Sequence, residues 1–108
     1  MAKAQLDGSQ IQNWDSFHDV SARELGFPSF YGRNMNAWID CLTYLDESDG
    51  MSRFSLASGE VLELEISNSQ SVKRDAPEVL EALVDNVRFV NDRYVERGKA
   101  PMLRLVLK

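Results

Sequence analysis

The chain has a single cysteine, Cys41, among 108 residues. It can therefore form no internal disulfide and no zinc site built from several thiolates, and a lone thiol suits a reducing compartment. The opening residues Ala2, Lys3, Ala4 and Gln5 contain no apolar signal-peptide core. No apolar run approaches the roughly 20 residues that span a bilayer, so the expected location is the cytoplasm, with no membrane association. Positive charge is also scarce: 12 Lys plus Arg stand against 17 Asp plus Glu, for a net charge of −5. An acidic chain gains nothing from counterion release on a polyphosphate, so direct nucleic-acid binding is not expected and a cationic protein is the expected partner. The glycines Gly26, Gly32, Gly50 and Gly59 are isolated and form no phosphate-cradling loop. The only histidine, His18, has no companions at metal-ligand spacing. Neither a cofactor nor a metal is expected, and no repeat or low-complexity tract is present.

What remains is a globular composition, 44% hydrophobic and 27% charged, of a length suited to one domain with one core. Residues 2–6 form a weakly alternating strand candidate stopped by Asp7 and Gly8, a turn pair in which glycine accepts positive φ. Ile11, Trp14, Phe17, Val20 and Leu25 recur at helical steps and predict a helix over about 11–25, ended by Gly26 and Pro28. Asn34 is a suitable N-cap for a second helix over about 34–45. Residues 46–60 open with the acidic run Asp46, Glu47, Ser48 and Asp49 and continue without a period, which suggests a loop insertion. Val61 to Ile66 read as a strand, central because it is apolar on both faces. Ser67 to Ser71 suggest a short turn or helix. Val79, Leu80, Leu83, Val84, Val87, Val90, Tyr94 and Val95 form the stripe of a long helix over about 76–98, with Pro77 in its first turn. Met102 to Leu107 is an apolar strand. Strands alternating with helices predict an α/β fold: a three-stranded parallel sheet with three main helices packed on it.

The chemistry concentrates in residues 30–45. At about 100° per residue, Met35, Trp38, Leu42 and Leu45 share one stripe of the second helix, while Arg33, Asn36, Asp40 and Tyr44 lie opposite. The stripe reads as core. The opposite face could be plain solvated surface, but it adjoins the aromatic pair Phe30 and Tyr31, a Gly32 that lets a partner approach the backbone, and Ile39. Aromatics beside sparse polar groups mark interface centres. A solvated surface and a binding face carry about even weight from these residues alone.

The order Phe30, Tyr31, Gly32, Asn34, Ala37, Asp40, Cys41, Leu42, Thr43 resembles the binding loop and helix of the barstar family, acidic inhibitors of a secreted ribonuclease. Weaker similarity extends over most of the chain except about 46–75. The resemblance implies a barstar-like fold and a protein inhibitor of a basic extracellular-type ribonuclease, not an enzyme. In that family the loop and helix enter the ribonuclease active site and a helix carboxylate replaces a substrate phosphate; here that carboxylate is Asp40. The implied footprint is Phe30, Tyr31, Gly32, Asn34, Asn36, Ile39, Asp40, Thr43 and Tyr44. Arg33 and Asn36 stand where the family pattern has acids, and Arg93 and Arg97 fall near its acids at the end of the last helix. Retained shape with altered charge implies the same binding mode on a different target. The alternative is a non-inhibitory interaction module using the same face for another partner.

Two other readings carry less weight. His18 and Cys41 are the smallest nucleophile-base set available to an enzyme, but each fits better as a packing residue, beside Phe17 and within the second helix. The acidic run at 46–49 lacks the alternation and closing Glu of a calcium loop.

Overall fold

The computed structural model describes residues 2–47 and 50–108. The elements run β1 (Ala2–Asp7), α1 (Trp14–Leu25), α2 (Met35–Thr43), β2 (Leu62–Ser67), α3 (Ser69–Asp75), α4 (Pro77–Glu96) and β3 (Leu103–Leu107). The three strands form one parallel sheet in the order β1-β2-β3, so the fold is the expected α/β arrangement, with α3 added as a short fourth helix. Ser48 and Asp49, half of the acidic run, lie outside the described residues.

The register explains the core. Ala4 pairs with Leu64 and Leu64 with Leu105, so β1, β2 and β3 present Ala4, Leu6, Leu62, Leu64, Ile66, Leu103 and Leu105 in aligned rows on one face. Most of these side chains are fully buried. The other face carries Lys3, Gln5, Glu63, Glu65 and Arg104 in matching register. β2 is central, as expected, but by pairing on both edges and not because both its faces are apolar. Glu65 is 6% exposed and is neutralised by Lys3 at 2.9 Å and Lys108 at 3.5 Å. These partners hold its carboxyl below its ordinary pKa, the hydrogen bond from Lys3 being the main cause.

One boundary differs from the periodicity. α1 begins at Trp14, not at 11, because Asn13 and Ser16 form a reciprocal capping box, leaving Ile11 buried just ahead of the helix. Gly26 ends α1 in the left-handed region at φ +67, as a C-cap glycine should. Gly8 serves a different purpose from the one its turn pair suggests. It is not at positive φ, but a Cβ there would come within 2.5 Å of the Asn68 carbonyl oxygen, so glycine permits the close approach of two backbones.

The described part of 46–60 contains no helix or strand, yet it is tied down. Leu56 is buried and its N–H donates to the Leu45 carbonyl; the Arg53 N–H and the Ser52 hydroxyl both donate to the Leu25 carbonyl. The Leu25 bonds satisfy a carbonyl that the end of α1 leaves unpaired, and the Leu56 bond ties the segment to the residue just past the C-cap of α2.

Candidate functional site

α2 is nine residues long, too short to persist alone, and it is held at both ends by neighbouring helices. The Asn34 side chain caps it by accepting the Ala37 N–H at 2.8 Å. Trp38, Leu42 and, just beyond the last turn, Leu45 are fully buried, as the stripe predicts. Asn36, Asp40 and Tyr44 are exposed on the opposite side.

The amino end rests on α1. Tyr31 Oη lies 2.6 Å from His18 Nδ1, and the Tyr31 ring packs against Phe27 with centroids 4.7 Å apart. His18 stacks on Trp14 and meets Phe17 edge-on, and it is 4% exposed. Burial pulls the imidazole below its ordinary pKa, and the nearby Arg33 charge adds to that. Burial likewise pushes the Tyr31 hydroxyl well above the ordinary phenol range. Tyr31 is thus a half-buried anchor, and Phe30 beside it stands 75% exposed. Arg33, at φ +54, turns to α1: its Nη1 bonds Asp19 at 2.7 Å and its Nη2 donates to the Asp15 carbonyl oxygen at 3.1 Å. It is exposed, as expected, but its charge is already paired within the chain.

The carboxyl end rests on α4. The buried Tyr94 hydroxyl accepts the Leu45 N–H at 3.0 Å and donates to the Leu42 carbonyl at 2.6 Å, closing the end of α2. Its pKa is pushed up to about 12, chiefly by burial. Arg97 Nη2 donates to the Thr43 carbonyl at 2.7 Å, with its guanidinium 4.9 Å from the Tyr94 ring centroid. Arg93 Nη1 bonds Asp40 Oδ1 at 2.8 Å and the Thr43 hydroxyl at 3.3 Å. Thr43, Tyr44, Arg93, Glu96 and Arg97 line a surface notch of about 280 Å³. A larger groove of about 630 Å³ lies elsewhere, among Pro77, Leu80, Val84 and Leu107, and touches none of the residues expected at the site.

Of the nine residues expected on the footprint, Phe30, Gly32, Asn34, Asn36, Asp40 and Tyr44 are exposed and Tyr31 is half-buried. Ile39 and Thr43 are buried in the free chain, 7% and 4% exposed, and Thr43 is bonded by Arg93 and Arg97. The Thr43 hydroxyl donates to the Ile39 carbonyl at 2.6 Å within the helix. Arg93 and Arg97 join the site from 53 and 54 residues away from Asp40 and Thr43. Two sequence signals point to them: both lie about a turn apart at the end of the long helix, and the family register puts them near its acids there.

Cys41 is buried, and burial with the neighbouring Asp40 charge pushes its thiol up to about 11, the reverse of an activated nucleophile. Among the described residues no group of three His, Cys, Asp or Glu side chains could hold a metal, and no helix is long and apolar enough to cross a membrane.

Two comparisons bear on this geometry. The chain is 44% identical over 43 residues to a Bacillus subtilis (strain 168) protein named putative ribonuclease inhibitor YrdF; the match covers 40% of this chain and 47% of that protein, about half its length. A family model described as Barstar (barnase inhibitor) matches residues 1–106, nearly the whole sequence, and the α/β fold with its parallel three-stranded sheet agrees with it. The chain belongs to the barstar family.

Proposed function

We propose that the chain is a protein inhibitor of a basic ribonuclease that plugs the active site with the 30–44 loop and helix, Asp40 taking the place of a substrate phosphate. The observation that carries this reading is the position of Asp40. It is an exposed carboxylate on the outer face of a short helix clamped at both ends, one turn from Tyr44 and beyond the exposed Phe30 loop. A carboxylate substitutes for phosphate because guanidinium groups grip both its oxygens, and exclusion of water from a cleft strengthens those bonds. Clamping matters because a pre-ordered site loses little entropy on docking.

Phe30 and Tyr44 supply apolar contact at the rim. A Cβ on Gly32 would meet only the Asn34 side-chain nitrogen at 3.3 Å and the Ala37 Cβ at 3.5 Å, so its lack of a side chain serves approach from outside more than internal packing. Asn34 and Asn36 line the start of the helix. The net charge of −5 steers the chain toward a cationic enzyme, so association is fast and slows with added salt. The chain performs no chemistry of its own in this reading.

The test is inhibition of ribonuclease activity, with barnase and with ribonucleases retained from the source cell on the immobilised chain. The expected result is a stoichiometric complex with no ribonuclease activity, weakened by about 2 kcal/mol or more by Asp40→Ala. A complex in which the ribonuclease stays active would replace inhibition with the non-inhibitory interaction module. Unchanged affinity for Asp40→Ala would remove the carboxylate from the phosphate position.

A further inference from the structure

Resting on the inhibitor reading above, we infer that the cognate ribonuclease carries an acidic side chain beside its cationic cleft. That carboxylate engages Arg93 and Arg97 while the cleft engages Asp40. The two arginines are then specificity determinants, rejecting ribonucleases whose cleft mouth is basic throughout.

In the free chain Asp40 already has a cation. Arg93 Nη1 holds Asp40 Oδ1 at 2.8 Å and is steadied by the Thr43 hydroxyl. A cleft cation that takes Asp40 must compete with Arg93, and Arg93 is then left facing the partner. Arg97 is held more firmly, bonded to the Thr43 carbonyl and lying over the Tyr94 ring. It cannot withdraw without giving up a helix-terminal carbonyl.

Both guanidiniums line the notch of about 280 Å³ with Tyr44, and Glu96 is the carboxylate at its rim, so the notch holds two positive groups against one negative. Each guanidinium has five N–H donors and uses only part of them internally. A planar carboxylate matches that fork, whereas a lysine or arginine brought to the same place suffers like-charge repulsion. The Asp40 and Arg93 pair thus opens into two neighbouring intermolecular pairs of opposite sense.

The test compares barnase inhibition by the wild-type chain, Arg93→Gln, and the double variant Arg93→Gln with Arg97→Gln, each checked for native melting. It also measures the same chains against any ribonuclease that the wild-type chain inhibits. Removing the guanidiniums is expected to tighten binding to a probe with a basic cleft mouth by about tenfold or more, and to weaken binding to the cognate enzyme by a similar factor. Arg93→Gln alone should show part of both effects, and because Arg93 is half-exposed it keeps the test valid if the double variant unfolds. Equal or weaker barnase binding by both variants, including no binding by any of the chains, would overturn the inference. The inhibitor reading is probed separately, by Asp40→Asn in the double variant. If the arginine variants tighten barnase binding and Asp40→Asn in the double variant changes nothing, the carboxylate's role in the inhibitor reading fails and the opening of the Asp40 and Arg93 pair fails with it, while the repulsion by the two arginines is still measured.

Discussion

The two ends of α2 are fixed by different physics. At the amino end the anchor is aromatic and desolvated: Tyr31 sits between Phe27 and His18, and His18 between Tyr31 and Trp14. At the carboxyl end it is a set of directed polar bonds from one helix, with Tyr94, Arg93 and Arg97 each reaching the last turn of α2 or the residue after it. The first arrangement sets where the loop stands and leaves Phe30 free. The second terminates the helix and also places cations beside its one exposed carboxylate. A short helix can therefore be held rigidly by packing without altering the charge it presents, whereas holding it by ion pairs changes what it can bind.

Tyr94→Phe should separate the two ends most clearly. The change removes one oxygen and leaves the Leu45 N–H and the Leu42 carbonyl without their partner in a buried setting. Leaving buried polar groups unpaired costs about 1–3 kcal/mol. Urea unfolding should show a loss of that size, and hydrogen exchange should place the new opening at the carboxyl end of α2, with the Asn34 cap protected as before. Equal loosening of both ends would mean that the two anchors form one cooperative unit.

Much of this arrangement is legible in the sequence, for identifiable reasons. The faces of α2 follow from the 3.6 period, which puts Trp38 and Leu42 inside and Asp40 outside whatever the neighbours are. Ile39 and Thr43 obey the same period, although the family resemblance puts them on the footprint. Ile39 is three residues before Leu42 and four after Met35, so it flanks the apolar stripe and is buried with it. The Asp40 and Arg93 pair cannot be read in this way, because it depends on how α4 crosses α2 across 53 residues of sequence. The strand register is hidden for a similar reason, since alternation in Val61 to Ile66 marks two faces without saying which row lies over which. The seam between Gly8 and Asn68 is equally out of reach. A turn signal and a close backbone contact both call for glycine, and only the neighbouring strand separates them.

Acid should reveal the other anchor. His18 has a folded pKa below its ordinary value of about 6.5, with burial the first cause and the Arg33 charge the second, opposed by Asp15 and Asp19. Between the folded and unfolded values the unfolded chain binds more protons, so stability is full above about pH 6.5 and falls as the pH is lowered through that window. The slope is at most about 1.4 kcal/mol per pH unit for one proton. His18→Gln should remove this part of the pH dependence, measured by urea midpoints from pH 7.5 to 5. A profile that persists in His18→Gln would assign the acid response to carboxylates and detach it from the aromatic anchor.

The smallest effect belongs to the ion pairs of Arg33 with Asp19 and Asp15, which lie at the same end as the aromatic anchor but in solvent. Exposed pairs gain little, because water screens their attraction and two long side chains must be held still. Arg33→Gln should lower the melting temperature by no more than about 4 °C, and added salt should shrink even that difference. The response of Phe30 to this variant decides what holds the amino end. If packing alone positions it, the loop keeps its protection from exchange and any ribonuclease affinity changes only through net charge. If the loop loosens, Arg33 is part of the anchor, and both ends of α2 depend on arginine bonds to a neighbouring helix.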